Sequence, residues 1–134
     1  MRVFIDSNIP MYVAGREHPH REPARRFLQR VRDGGVQGCT STEILQEILY
    51  RYCGLRRPDT AAAVYDLFVE LCDEVLPVTL SDTDRAREWI AQESKIGVRD
   101  AIHAAVMLNN GVTTIASFDE GFDGIRGLKR LTLT

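Results

Sequence analysis

The run Arg2-Val3-Phe4-Ile5-Asp6-Ser7-Asn8-Ile9-Pro10-Met11-Tyr12 sets the architecture. Val3, Phe4 and Ile5 are β-branched or aromatic, which suits a short strand, and the run ends on a carboxylate followed at once by an apolar helix start. A strand that hands over directly to a helix opens a βα unit, so Asp6 should project from the carboxyl edge of the sheet. Aspartate is also a good helix N-cap, and that use stays open for Asp6.

Beyond this stretch the same alternation continues. Short apolar or β-branched runs predict strands at 2–5, 36–39, 75–79 and 113–117, and 128–133 is expected to add an edge strand. Helical spacing or strong helix formers fill 23–32, 42–52, 60–72, 82–93 and 98–109. Asp59 or Thr60 is a candidate cap for one helix and Ser81 or Asp82 for another, while Gly34-Gly35 and Gly111 stand where helices should stop. Strands alternating with helices of this length imply an α/β fold, a three-layer α/β/α sandwich around a central, mostly parallel sheet. The loop 15–20 is the one notable polar interruption, so residues 1–134 are expected to form a single domain. Its apolar content of 44% is enough to bury a core.

A net charge of −2 argues against a protein held to nucleic acid by global charge, so any such contact must be local. Fifteen of the seventeen basic residues are arginine, the better bidentate phosphate ligand, although genome base composition produces the same bias. Cys39, Cys53 and Cys72 are odd in number and contain no C-x-x-C, which suggests neither a disulfide framework nor a zinc site. Buried thiols in a reducing compartment are expected. With no signal-like leader and no membrane-spanning run, a cytoplasmic location and no membrane contact are expected too.

Among nineteen acidic residues, only those at strand ends can converge. Asp119 follows the fourth strand as Asp6 follows the first, in Ser117-Phe118-Asp119-Glu120-Gly121-Phe122-Asp123. Asp100 lies in the first turn of a helix, where its charge also complements the helix dipole. Glu43 and Glu47 fall four apart beside an apolar stripe, and one or both can reach the same edge, with Arg51 a candidate for compensating their repulsion. Two charges about 5 Å apart at an effective dielectric near 20 repel by roughly 3 kcal/mol, so such a cluster needs a neutralising partner. Carboxylate oxygens suit Mg²⁺ or Mn²⁺, whereas zinc favours His and Cys. Without metal, at least one carboxyl should have its pKa raised. The implied chemistry is phosphoryl transfer, with metal ions generating a hydroxide nucleophile and holding the leaving oxygen.

These residues resemble the PIN-domain family, and the VapC-like toxins in particular, along nearly the whole chain. The matching blocks are 3–12, Thr40-Ser41-Thr42-Glu43-Ile44-Leu45-Gln46-Glu47, Val98-Arg99-Asp100-Ala101-Ile102-His103-Ala104-Ala105 and 117–123. The resemblance implies an acidic quartet of Asp6, Glu47, Asp100 and Asp119, with Glu43 the rival to Glu47 and with Asn8 and Ser117 in support. It further implies a Mg²⁺- or Mn²⁺-dependent ribonuclease that acts on RNA, forms a homodimer and is inhibited by a cognate antitoxin protein. One position departs from it. Many members carry a second aspartate where this chain has Gly121, leaving Asp123 beside Asp119 and Glu120 and putting a second metal in doubt.

Other residues read as structural. His103 is expected to be a packed histidine, His18 and His20 to be solvent exposed, and the arginines of 21–32 to form a charged face or one wall of an RNA groove. Tyr12, Tyr50, Tyr52, Phe68 and Trp89 stand at helical apolar positions and suggest core or dimer contacts. Val64, Leu67, Phe68 and Leu71 form a stripe for burial against a helix or second subunit. A phospho-accepting receiver lacks its late-strand lysine here, a haloacid-dehalogenase-type phosphatase would need D-x-D where Asp6-Ser7-Asn8 stands, and no G-x-S-x-G supports an esterase. The remaining alternative is a non-catalytic module of PIN-like fold that binds RNA or protein.

Overall fold

The structure, a computed structural model, describes residues 1–93 and 95–134. Strands β1 (Arg2–Ile5), β2 (Gln37–Ser41), β3 (Glu74–Leu76), β4 (Thr114–Ala116) and β5 (Lys129–Leu131) form one sheet in the order β3-β2-β1-β4-β5. Every adjacent pair is parallel, including the terminal edge strand. Helices α1 (Asn8–Ala14), α2 (Arg21–Arg32), α3 (Thr42–Gly54), α4 (Pro58–Leu71), α5 (Leu80–Gln92) and α6 (Val98–Asn109) connect or flank the strands, and a short 3-10 helix spans Glu120–Gly124.

Apolar spacing explains which faces are buried. On α2, Ala24, Phe27 and Val31 point inward, three and four residues apart, and on α3 the same is true of Ile44, Leu45, Ile48 and Tyr52. Side-chain alternation along β1 sends Ile5 to one face and Phe4 to the other. Ile5 and Val31 of α2 close over Gly38 of β2, where an added Cβ would lie 2.9 Å from Ile5 Cδ1. Phe4 meets the ring of His103 on α6 across the opposite face, with centroids 6.1 Å apart. The sheet is therefore the middle of three layers.

Caps account for most boundary differences from the sequence expectation. Helix α4 begins at Pro58, whose missing N–H suits the first helical position, rather than at Asp59 or Thr60. Helix α5 is capped by Thr79 instead of Ser81 or Asp82, and Asp82 closes a capping box from the third helical position. Asp82 is buried because its other oxygen accepts from Asn109 Nδ2 at 2.7 Å, tying α5 to α6. Gly34 and Gly111 follow α2 and α6 with φ of 84° and 72°, as helix stops require. Cys39 and Cys72 are buried free thiols, pushed up to about 11 and about 12 by desolvation, but Cys53 is exposed on the outer side of α3, contrary to expectation. No helix of the described residues is long and apolar enough to cross a membrane.

In this strand order the chain moves from β1 to β2 and β3 on one side, then returns to β4 on the other. That reversal falls at the carboxyl ends of β1 and β4, where open parallel sheets form the crevice that takes a ligand. Helix α6 runs back toward the start of β4, so its N-terminus reaches the same edge.

Candidate metal centre and active site

Asp6 follows β1 and is 6% exposed, with its backbone N–H bonded to Ala116 O at 3.0 Å. That bond ties the ends of β1 and β4 together. Asp6 Oδ1 accepts from Ser7 N at 2.8 Å, and Oδ2 accepts from Ser117 Oγ at 2.6 Å and Asn8 Nδ2 at 3.4 Å. Asn8 Nδ2 also reaches Ser117 Oγ at 3.2 Å. Asn8 and Ser117 thus brace the Asp6 carboxylate. Ser7 caps α1 without using its side chain, leaving that hydroxyl for Glu47.

Glu47, on the second turn of α3, turns inward. Its Oε1 accepts from Ser7 Oγ and faces His103 Nε2, each at 3.2 Å, and its Oε2 lies 3.7 Å from Arg99. Asp100, in the first turn of α6, stands one helical turn before His103. Asp119 caps the 3-10 helix through Gly121 N at 2.8 Å, and its own N–H bonds Ser117 Oγ at 3.0 Å. Asp6, Glu47 and His103 bring ligand atoms within 4.8 Å of one another, and Asp100 lies near enough that the charges of Asp119, Asp6 and Glu47 all act on it, so four separate segments meet at this edge. Glu43 is half-exposed and has no side-chain partner among the described residues, nor is its charge among those that perturb Asp6 or Asp100. Asp123 turns away to pair with Arg130 at 2.8 Å, and Arg130 reaches on to Ser117 O at 3.3 Å. Its contribution is to clip the 3-10 helix against the end of β4.

His103 is more than a packing residue. It is 2% exposed, and one of its ring nitrogens lies within 4.8 Å of ligand oxygens of both Asp6 and Glu47. Sequence spacing alone left it on a helix side; the signal available was its position one turn after Asp100. Arg51, the expected counter-charge, has no ion pair among the described residues, and Arg99 and His103 stand beside Glu47 instead. His20 is half-buried rather than free in solvent, stacked on Phe118 at 4.0 Å with Tyr12 against both. The loop before α2 is thereby pinned near the site.

The electrostatics match an incomplete charge balance. Burial, then the neighbouring Asp119, pushes Asp100 up to about 6; His103 opposes this, and Asp6 and Glu47 add to it. Asp6 is also raised, first by burial and further by Glu47, against the His103 charge and its hydrogen bonds from Ser117 and Ser7. Burial pulls the His103 imidazole down, yet the bond and charge of Glu47, with Asp6 and Asp100, outweigh it and leave the pKa raised. One imidazole does not offset four carboxylates, and an oxygen-rich cluster of this kind suits a hard divalent cation. A metal-bound histidine normally donates its second nitrogen to a partner. His103 Nδ1 is buried with none among the described residues, so the geometry fits a donor that positions Glu47 better than a ligand.

With that geometry established, kinship can be placed on it. A family model described as PIN domain matches residues 3–128. The chain belongs to the PIN domain family. A PIN-domain relative named Ribonuclease VapC13, from Mycobacterium tuberculosis, is 40% identical over 129 residues, covering 96% of this chain and 98% of that protein. The same PIN fold is found in VapBC2 from Rickettsia felis bound to a promoter DNA fragment, with a TM-score of 0.79 at 16% identity over 100% of both chains. It is found again in VapC20 of Mycobacterium tuberculosis, described as a Sarcin-Ricin loop cleaving toxin, with a TM-score of 0.72 at 22% identity over 94% and 98% of the chains.

Within this PIN domain, Gly121 is tightly placed. A Cβ there would stand 2.8 Å from Asp100 Oδ2 and 3.0 Å from Asp119 Oδ1. The space that a side chain at position 121 would take is filled by the carboxylates of Asp100 and Asp119 themselves.

Proposed function

We propose that this protein is an endoribonuclease of the VapC type, which hydrolyses RNA phosphodiester bonds with Mg²⁺ or Mn²⁺ held by Asp6, Glu47, Asp100 and Asp119. The observation that carries the reading is the convergence of four carboxylates with Asp100 raised to about 6, a charge deficit that a divalent cation would fill. The name of the ribonuclease relative supports RNA as the substrate. When bound, the ion supplies Lewis-acid activation of water and stabilises the leaving oxygen. Asp6 is held by Ser117, Asn8 and the Ser7 backbone, so its orientation is set before any substrate arrives. Glu47 is fixed by Ser7 and His103, and Asp119 by the backbone of Gly121.

A toxin role in the cytoplasm, as a homodimer silenced by a cognate antitoxin, belongs to the same proposal. Support comes from the 40% identity to a ribonuclease named VapC, from the fold shared with a structure described as a toxin, and from the need to restrain such an enzyme in its own cell. Outside the acidic site, α4 leaves Leu67 63% exposed beside an apolar cavity of about 450 Å³ shared with α1 and α2, a surface open to a protein partner.

The test is cleavage of structured and single-stranded RNAs with Mg²⁺ or Mn²⁺, run beside EDTA and Asp100→Asn. Cutting that vanishes in both controls is the expected result. Binding without cutting by pure wild-type protein would instead favour the non-catalytic module, and cutting that survives Asp100→Asn would move the chemistry to other residues.

A further inference from the structure

Next to the acidic crevice, α1, α3 and the start of α6 enclose a second space of about 310 Å³. Glu47 and Ser7 form the wall it shares with the crevice, and Met11, Gln46, Tyr50, Arg51 and Arg99 line the rest. Tyr50 and Arg51 stand three and four residues after Glu47, so helical spacing places them on the next turn of the same face. Tyr50 is 71% exposed although its position on the helix suggested a core or dimer contact. An aromatic ring turned to solvent beside two guanidiniums is an unusual surface in a chain of net charge −2.

Neither arginine is consumed by an ion pair. Arg51 has none among the described residues, and the Arg99 contact to Glu47 is 3.7 Å long with a side chain 70% exposed, a geometry that contributes little in water. Guanidiniums pair readily with phosphate oxygens, and a tyrosine ring stacks on any base. The volume is at the small end for ligand sites and admits about one nucleotide. Continuity with Glu47 places that nucleotide beside the scissile phosphate.

We infer that this cavity is a nucleotide subsite, in which Arg51 and Arg99 hold an RNA phosphate adjacent to the one cleaved and Tyr50 stacks on its base. The inference deepens the proposed RNA cleavage and rests on it. The cavity then supplies the local attraction that the overall charge of the chain does not provide.

Binding of a fluorescein-labelled single-stranded RNA oligonucleotide, followed by anisotropy in Ca²⁺ over a series of salt concentrations, tests it separately from cutting. Tyr50→Ala should weaken binding roughly 5- to 100-fold, with Tyr50→Phe restoring it because the ring is retained. Arg51→Ala should lower the slope of log affinity against log salt by about 0.7, as loss of one single-strand phosphate contact requires. Arg87→Ala, the same charge change on α5 outside the cavity, should do neither. In a wild type that cuts RNA, KM should rise in Tyr50→Ala more than kcat falls. Wild-type affinity, salt slope and KM in both variants would overturn the subsite and leave the cleavage proposal standing. Weakened binding in a protein that cuts nothing would keep a nucleotide site here but overturn the cleavage proposal and, with it, the place of this site beside a scissile phosphate. A change in sedimentation behaviour with RNA binding intact would overturn it in favour of a protein interface.

Discussion

Replacing Gly121 by alanine adds a single methyl group at the point where two proposed metal-binding carboxylates face each other. The new Cβ would lie 2.8 Å from Asp100 Oδ2, 3.0 Å from Asp119 Oδ1 and 3.6 Å from Asp119 Cγ, against 3.4 Å for the start of ordinary contact. Gly121 has no left-handed φ, so the backbone accepts alanine and strain there is not the issue. Asp119 is pinned by the Gly121 N–H, whereas the Asp100 carboxylate has no hydrogen-bond partner among the described residues. Asp100 therefore yields, moving by roughly 0.6 Å, which exceeds the ~0.5 Å within which a functional constellation must be held. Folding stability should change by less than about 1 kcal/mol. Cleavage at saturating Mg²⁺ should fall about 10- to 100-fold, because this ion demands near-ideal octahedral geometry and small misplacements of reacting groups are costly. Gly121→Asp should fall as far, since it brings the same clash and one more negative charge. Single-turnover cleavage as a function of metal concentration, beside thermal melts with and without Mn²⁺, measures both effects. An alanine variant with wild-type rate and metal dependence would refute the argument, since Asp100 and Asp119 would then lie away from the reacting ion.

Two other perturbations follow from the same charges. The folded protein keeps the Asp100 proton up to about pH 6, whereas the unfolded chain releases it near 3.8, so this contribution to metal-free stability is full below that window and is lost as pH rises through it. His103, also raised, continues the trend above its ordinary 6.5. In urea melts with EDTA, Asp100→Asn should therefore gain on wild type from pH 4.5 to pH 7; parallel pH profiles for the two proteins would contradict the shift. His103→Leu should destabilise by about 1.5–3 kcal/mol and weaken Mn²⁺ binding by calorimetry, because Glu47 loses a buried donor, while His103→Gln should recover part of both. Equal losses in the two variants would leave His103 a packing residue only.

Much of this architecture is local and was legible in the chain. Strand β1 and helix α6 have the expected bounds, because a β-branched run ending on Asp6 and a run of helix formers ending before Gly111 each carry their own start and stop signals. Helix α1 was visible only as an apolar start, since its seven residues are too few for a period to emerge. The Thr79–Asp82 capping box escaped because Ser81 and Asp82 are equally good caps in isolation, and burial of Asp82 against Asn109 decides between them.

The candidate site divides along the same line. That Asp6 and Asp119 lie at strand ends and Asp100 at a helix start followed from residue order alone. Choosing between Glu43 and Glu47 needed the family resemblance or the structure, because both flank the same apolar stripe and only the angle at which α3 meets the sheet turns one inward. His103 beside Glu47, Tyr50 in solvent, Asp123 turned to Arg130, and the carboxylates crowding Gly121 belong to the tertiary structure. The sequence by itself determined the order of strands and helices and which carboxylates could converge, since those depend on neighbours a few residues away. Which of them meet, and with what pKa, was decided only when segments as much as 111 residues apart packed together, because burial and Coulomb interactions depend on distance in space and not on separation along the chain.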